Sequence, residues 1–204
     1  MSAVDESIVR EYFESHGFLV CQRRKYIVQA RRKTGDEEID LVVFNPRATP
    51  SESPLEFEIT SAELKHVARA VVAVKGWHTE VFAPGVLAHQ PKIFAFVEKR
   101  ALEEAQQLVG GESLAKILVV PGLPRDAKLR SRSIELLRAK GVDAVISFRA
   151  ILRELTAKVA TNRNYQKSDL LQILRLLKNY DLLREPQMEL KFSRKGAKAQ
   201  RKKA

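Results

Sequence analysis

Asp40 and Lys75 are charged residues in stretches that otherwise read as buried strand. Asp40 lies within "EIDLVVF" (38–44), and Lys75 ends the β-branched run of "VVAVKGW" (71–77). A strand buried on both faces has no place for an ammonium group, because taking an unpaired charge out of water is costly. Lys75 therefore either reaches solvent where its strand ends, or is held at the strand terminus to do chemistry. Several other chemistries lack the residues they need. Cys21 is the only cysteine, so it forms no internal disulfide and builds no zinc site by itself. His66, His78 and His89 show no zinc-ligand spacing. "LVGGES" and "VVPGLP" have glycines but not the spacing of a P-loop, a dinucleotide fingerprint or a nucleophile elbow.

The elements that must position Asp40 and Lys75 follow from periodicity. Val4, Ile8, Val9, Tyr12 and Phe13 fall near helical spacing, and Gly17 stops that helix. "FLVCQ" (18–22) and "YIVQARR" (26–32) read as one long strand or a hairpin, with Cys21 a small buried hydrophobe. In "EIDLVVF" strict alternation puts Glu38, Asp40, Val42 and Phe44 on one side, and Ile39, Leu41 and Val43 on the other. Thr60 through Glu63 has the form of a capping box opening a short helix to His66, ahead of a strand over 68–75. "FAPGVLAHQP" reads as irregular, and residues 91–108 as helical. Strands over 114–120 and 143–148 alternate with helices over 126–139 and 149–159. This order predicts an α/β sandwich with a mixed sheet over residues 1–160. Ser168 caps a further leucine-rich helix in an extension over 161–190, and residues 191–204 read as a disordered basic tail.

A helix, then a strand bearing an acidic residue, then a strand ending in lysine, resembles the restriction-endonuclease-like superfamily. These are the PD-(D/E)xK nucleases, and the likeness is to the branch near Holliday-junction resolvases and restriction-like endonucleases. It is carried by "ESIVREYFESHGF", "EIDLVVF" and "VVAVKGW" and covers about residues 4–120. It implies a three-layer restriction-endonuclease-like sandwich with a central mixed sheet, metal-dependent phosphodiester hydrolysis, and a Mg²⁺ or Mn²⁺ ion in an oxygen-rich cage. By this likeness Asp40 matches the metal-binding aspartate and Lys75 the lysine that orients water or stabilises the transition state. Glu6 or Glu11 matches the acidic residue of the first helix, with Glu6 preferred for its place in the first turn. Homodimers are common among such proteins. One position departs from the pattern: two residues before Lys75, where the family has a carboxylate or Gln, stands Ala73. Glu38, on the face of Asp40, is one candidate to replace that metal ligand, and Glu58 and Glu80 are others.

Charge points to a polyanionic partner, with nucleic acid the commonest polyanion, and the resemblance to nucleases implies DNA. The chain of 204 residues has 36 Lys and Arg against 25 Asp and Glu, a net +11. Residues 191–204 hold seven of the basic side chains and no acidic one. A second cluster, Arg23, Arg24, Lys25, Arg31, Arg32 and Lys33, is interleaved with apolar residues and is expected on strands. No apolar run approaches the roughly 20 residues that span a bilayer, and the acidic, mixed N-terminus is unlike a signal peptide. With one cysteine, these features fit a cytoplasmic protein without a membrane partner. Three functions stay open: a Mg²⁺-dependent endonuclease, a catalytically inactive relative that binds nucleic acid or a protein, and an assembly protein whose tail binds RNA.

Overall fold

The protein, seen here in a computed structural model, is described for residues 2–22, 39–49, 55–111 and 113–183. It divides into two compact units, Met1–Ala160 and Thr161–Ala204. The first unit is α/β. Its sheet has five strands in the order β1 (Leu19–Gln22), β2 (Leu41–Phe44), β3 (Arg69–Val74), β4 (Ala115–Val120) and β5 (Ala144–Ser147). The first three strands are antiparallel, and β3, β4 and β5 are parallel. The parallel strands are buried on both faces, so they appear in the sequence as unbroken apolar runs.

Helices cover both faces, an arrangement compatible with a three-layer α/β sandwich. Val42, Val71, Ala73, Leu118, Val120 and Val145 form one core with Phe82, Leu87, Ile93, Phe96, Ala105 and Leu137. These last side chains come from the loop after β3, from α3 (Pro84–His89), from a 3₁₀ segment (Pro91–Val97), from α4 (Lys99–Val109) and from α5 (Ala127–Ala139). Strand residues of the opposite parity, such as Val72, Val74 and Val119, are equally buried, on the side packed by α1 (Ala3–Ser15) and α6 (Phe148–Lys158). The chain between β2 and β3 travels to the far edge of the sheet. There Val145 donates to the Phe57 carbonyl at 2.7 Å, and the Ile59 amide donates to the Val145 carbonyl at 3.1 Å.

Local signals account for most element boundaries. Ser2 and Asp5 form a capping box at the start of α1, and Gly17 leaves the helix with φ of 84°. Thr60 and Glu63 close the expected box on α2 (Ser61–Leu64). Two expectations are corrected. Residues 84–89, expected to be irregular, are helical because Pro84 supplies a favourable first helical position. The single helix expected over 91–108 is split, since Glu98 is extended and separates the 3₁₀ segment from α4. In the second unit, Ser168 caps α7 (Asp169–Asn179), its hydroxyl accepting from the Leu171 amide. No helix among the described residues is long and apolar enough to cross a membrane.

The C-terminal ends of α1 and α6 are joined by His16. Its Nδ1 lies 2.7 Å from the Tyr12 carbonyl, which can only accept, so this nitrogen carries the proton. Its Nε2 lies 2.8 Å from Lys158 Nζ and 3.3 Å from Glu154 Oε2. Burial pushes the His16 imidazole below its ordinary value, against a smaller opposing contribution from the Tyr12 carbonyl. The folded chain therefore holds His16 neutral. Its contribution to stability is fully present above the unfolded value of 6.5 and is lost as pH falls through the lower folded value. The melting temperature should fall between pH 7 and 5, and His16→Gln should flatten that slope. Equal slopes for the two proteins would show that His16 does not couple folding to protons.

Candidate functional site at the end of the sheet

Antiparallel pairing sets the start of β2 beside the end of β3, which brings Asp40 next to the strand that leads into Lys75. Regular pairing ends just before Asp40. Leu41 is the register partner of Val72, yet the Asp40 amide also donates to the Val72 carbonyl, at 3.1 Å. Two residues of one strand thus address one residue of the other, as in a β-bulge. The expected alternation is broken here, because Ile39 packs in the same core as Val42. Released from the pleat, the buried Asp40 carboxylate accepts the Val74 amide at 2.7 Å. Lys75 is half-buried, and its amide donates to the Val119 carbonyl at 2.9 Å, so the β3–β4 ladder runs on through it.

The first helix presents two acids at this end of the sheet. Glu6 accepts the side-chain amide of Gln22 at 2.9 Å, and Gln22 is the register partner of Leu41. Asp5 is the more deeply placed, at 7% exposure. Its Oδ1 lies 3.0 Å from His78 Nε2, and its Oδ2 accepts the Ser2 amide at 3.4 Å. The same carboxylate rests on Gly76, where any added Cβ would collide with it. His78 in turn sets its ring edge-on to Phe148, the first residue of α6, with centroids 4.8 Å apart. The N-terminal ends of α1 and α6 therefore meet over the residues that follow Lys75. Asp5 was not singled out from the sequence. Lys-Gly at a strand end was the one available sign that a neighbour approaches closely there.

The other expected site residues are distributed as follows. Ala73 is fully buried in the apolar core, so the side of β3 where the family pattern places a carboxylate is filled with hydrocarbon. Glu58 is at the opposite edge of the sheet, bridged to Val145 and held by Arg130 through contacts of 2.8 and 2.6 Å. Glu80 is exposed. No group of three or more His, Cys, Asp or Glu among the described residues could hold a metal ion. Among the described residues, therefore, a Mg²⁺ or Mn²⁺ site is not complete. Glu38, Arg23, Arg24, Lys25, Arg31, Arg32, Lys33 and the tail 191–204 lie outside the described residues. Cys21, expected to be buried, is exposed, because β1 has only β2 and α1 to cover it among the described residues.

No family model, curated protein or solved structure matches the chain.

The contact of Asp5 with Gly76 gives a test of this geometry. Gly76→Ala should cost about 1–3 kcal/mol, the usual range for forcing an extra carbon into a packed site. In an Asp5→Ala background the same substitution should cost much less, since the colliding oxygens are gone. Urea denaturation of the four proteins in a double-mutant cycle measures the coupling. An unchanged cost in both backgrounds would place the carboxylate elsewhere.

Proposed function

We propose that the chain binds nucleic acid, with DNA the expected partner, through a nuclease-like α/β scaffold whose metal-binding set is incomplete among the described residues. The observation that carries this reading is Ala73: the position that should add a second carboxylate beside Lys75 is fully buried in an apolar cluster. The succession of α1, β1, β2 and β3, then helices and a parallel β4, supports the likeness to restriction-endonuclease-like proteins. The net charge of +11 supports a polyanionic partner. A second reading, hydrolysis, is favoured by the Asp40 carboxylate lying against the strand end that leads into Lys75. In that case Lys75 would stabilise charge on a phosphate and Asp40 would help hold a cation.

Binding by the full chain should weaken steeply with salt, by about 0.9 in the log–log slope for each duplex phosphate neutralised. Removing residues 191–204 should flatten that slope and leave residual binding. Complete loss of binding with the tail would favour the assembly reading. A plasmid-nicking assay with Mg²⁺ or Mn²⁺ separates the first two readings. The binding reading expects no metal-dependent nicking by the wild type. Nicking that falls about 100-fold in both Lys75→Ala and Asp40→Asn would establish hydrolysis instead. Asparagine keeps an oxygen to accept the Val74 amide, so the second variant removes charge rather than the hydrogen bond.

A further inference from the structure

The loop after β3 carries Trp77, the only tryptophan of the chain, two residues beyond Lys75. Its indole stacks on Phe82, with centroids 5.5 Å apart and an interplanar angle of 26°. Phe82 is fully buried, and its amide donates to the Gly122 carbonyl at 3.2 Å. The indole is thus seated on a fixed base, yet it stays 36% exposed. This contact also lays the Trp77 loop along the loop between β4 and α5. Three residues past Gly122 comes Arg125, followed on α5 by Lys128 and Arg132, all three exposed.

Lys128 and Arg132 share one exposed face of α5, and Arg125 lies just before the start of that helix. Lys128 and Arg132 are one helical turn apart, and each lies about 200° round the helix from Arg130. Arg130 faces the β5 edge, where Glu58 neutralises it in a two-pronged pair. Arg125, Lys128 and Arg132 have no ion pair or side-chain hydrogen bond among the described residues.

We infer that Trp77 with Arg125, Lys128 and Arg132 is a binding surface for single-stranded nucleic acid, taking an unpaired base on the indole and the adjoining phosphates on the basic flank. This rests on the nucleic-acid reading above and narrows it to unpaired nucleotides. An aromatic platform beside a cationic track is what a flexible strand requires, because stacking tolerates any base while the cations follow the backbone. A duplex keeps its base faces covered and would leave the indole unused. An acidic protein would engage the cations but has no systematic use for the indole.

Trp77 supplies its own probe. The full chain, in EDTA, is titrated with a short labelled oligothymidylate while label anisotropy and tryptophan emission are both recorded. Anisotropy reports binding anywhere on the chain, and emission reports a base on Trp77. Binding should quench the emission, whereas a duplex of equal length or heparin should bind with little quenching. R125A/K128A/R132A should weaken binding at least tenfold and reduce the salt slope by roughly 2, from about 0.7 per single-strand phosphate. Trp77→Ala should weaken it about tenfold, with Trp77→Phe in between because that ring can still stack on Phe82. Anisotropy that rises without quenching overturns this inference and leaves the broader reading standing. Equal quenching by heparin, or wild-type affinity in the triple variant, also overturns it. Absence of any binding overturns both.

Discussion

Val74 is where β3 exchanges one set of partners for another. Behind it, the strand is paired on both sides. At Val74 the register with β2 has slipped by the bulge at Asp40, while the ladder to β4 runs on for one more residue. A buried amide left without an acceptor costs about 1–3 kcal/mol, and a buried carboxylate without donors costs more. The 2.7 Å bond between the Val74 amide and Asp40 answers both demands at once. It requires β2 to begin where it does and β3 to end where it does, with Lys75 following directly on the amide that the carboxylate holds. The placement of each later residue of the loop, from Gly76 through His78, starts from that point.

Above this junction the two helices on one face are tied at both ends. Asp5 and His78 fasten the start of α1 to the loop after β3, and Phe148 brings in the start of α6. His16, Glu154 and Lys158 fasten the other ends. Since both helices begin near Lys75 and finish at His16, they run in the same direction. Burial, with the Glu154 carboxylate nearby, also raises the Tyr12 phenol well above its ordinary value, so that hydroxyl stays neutral in the same cluster. Tied at both ends in this way, the helix pair fixes the height of Asp5 over Gly76.

Much of this was legible in the sequence, for reasons that differ by residue. The apolar runs of β3 and β4, the capping box at Thr60 and the N-cap at Ser168 are local signals, and they appear where expected. Asp40 and Lys75 stood out because charges in apolar runs demand explanation, and the structure sets them at adjoining strand ends. What was not legible depends on partners distant in sequence. The break in alternation between Ile39 and Val42 arises from slippage against β3. Asp5 gains its role from a glycine 71 positions away. Cys21 is exposed because it lies on a strand with a single described neighbour in the sheet, which composition cannot reveal.

The excursion of the chain to Val145 has a consequence for how the first unit comes apart. The connection from β2 to β3 crosses to the outer side of β5 and pairs there through Phe57 and Ile59 before returning. Peeling β5 away would expose those amides and pull on the segment that joins the two strands bearing Asp40 and Lys75. An edge strand would ordinarily be among the first parts of a sheet to open. Here that opening is laced to the centre, so β5 should exchange its amide hydrogens together with β2 and β3 rather than ahead of them. Backbone closed over the β5 edge also denies a second chain the unpaired row on which sheets join and aggregate.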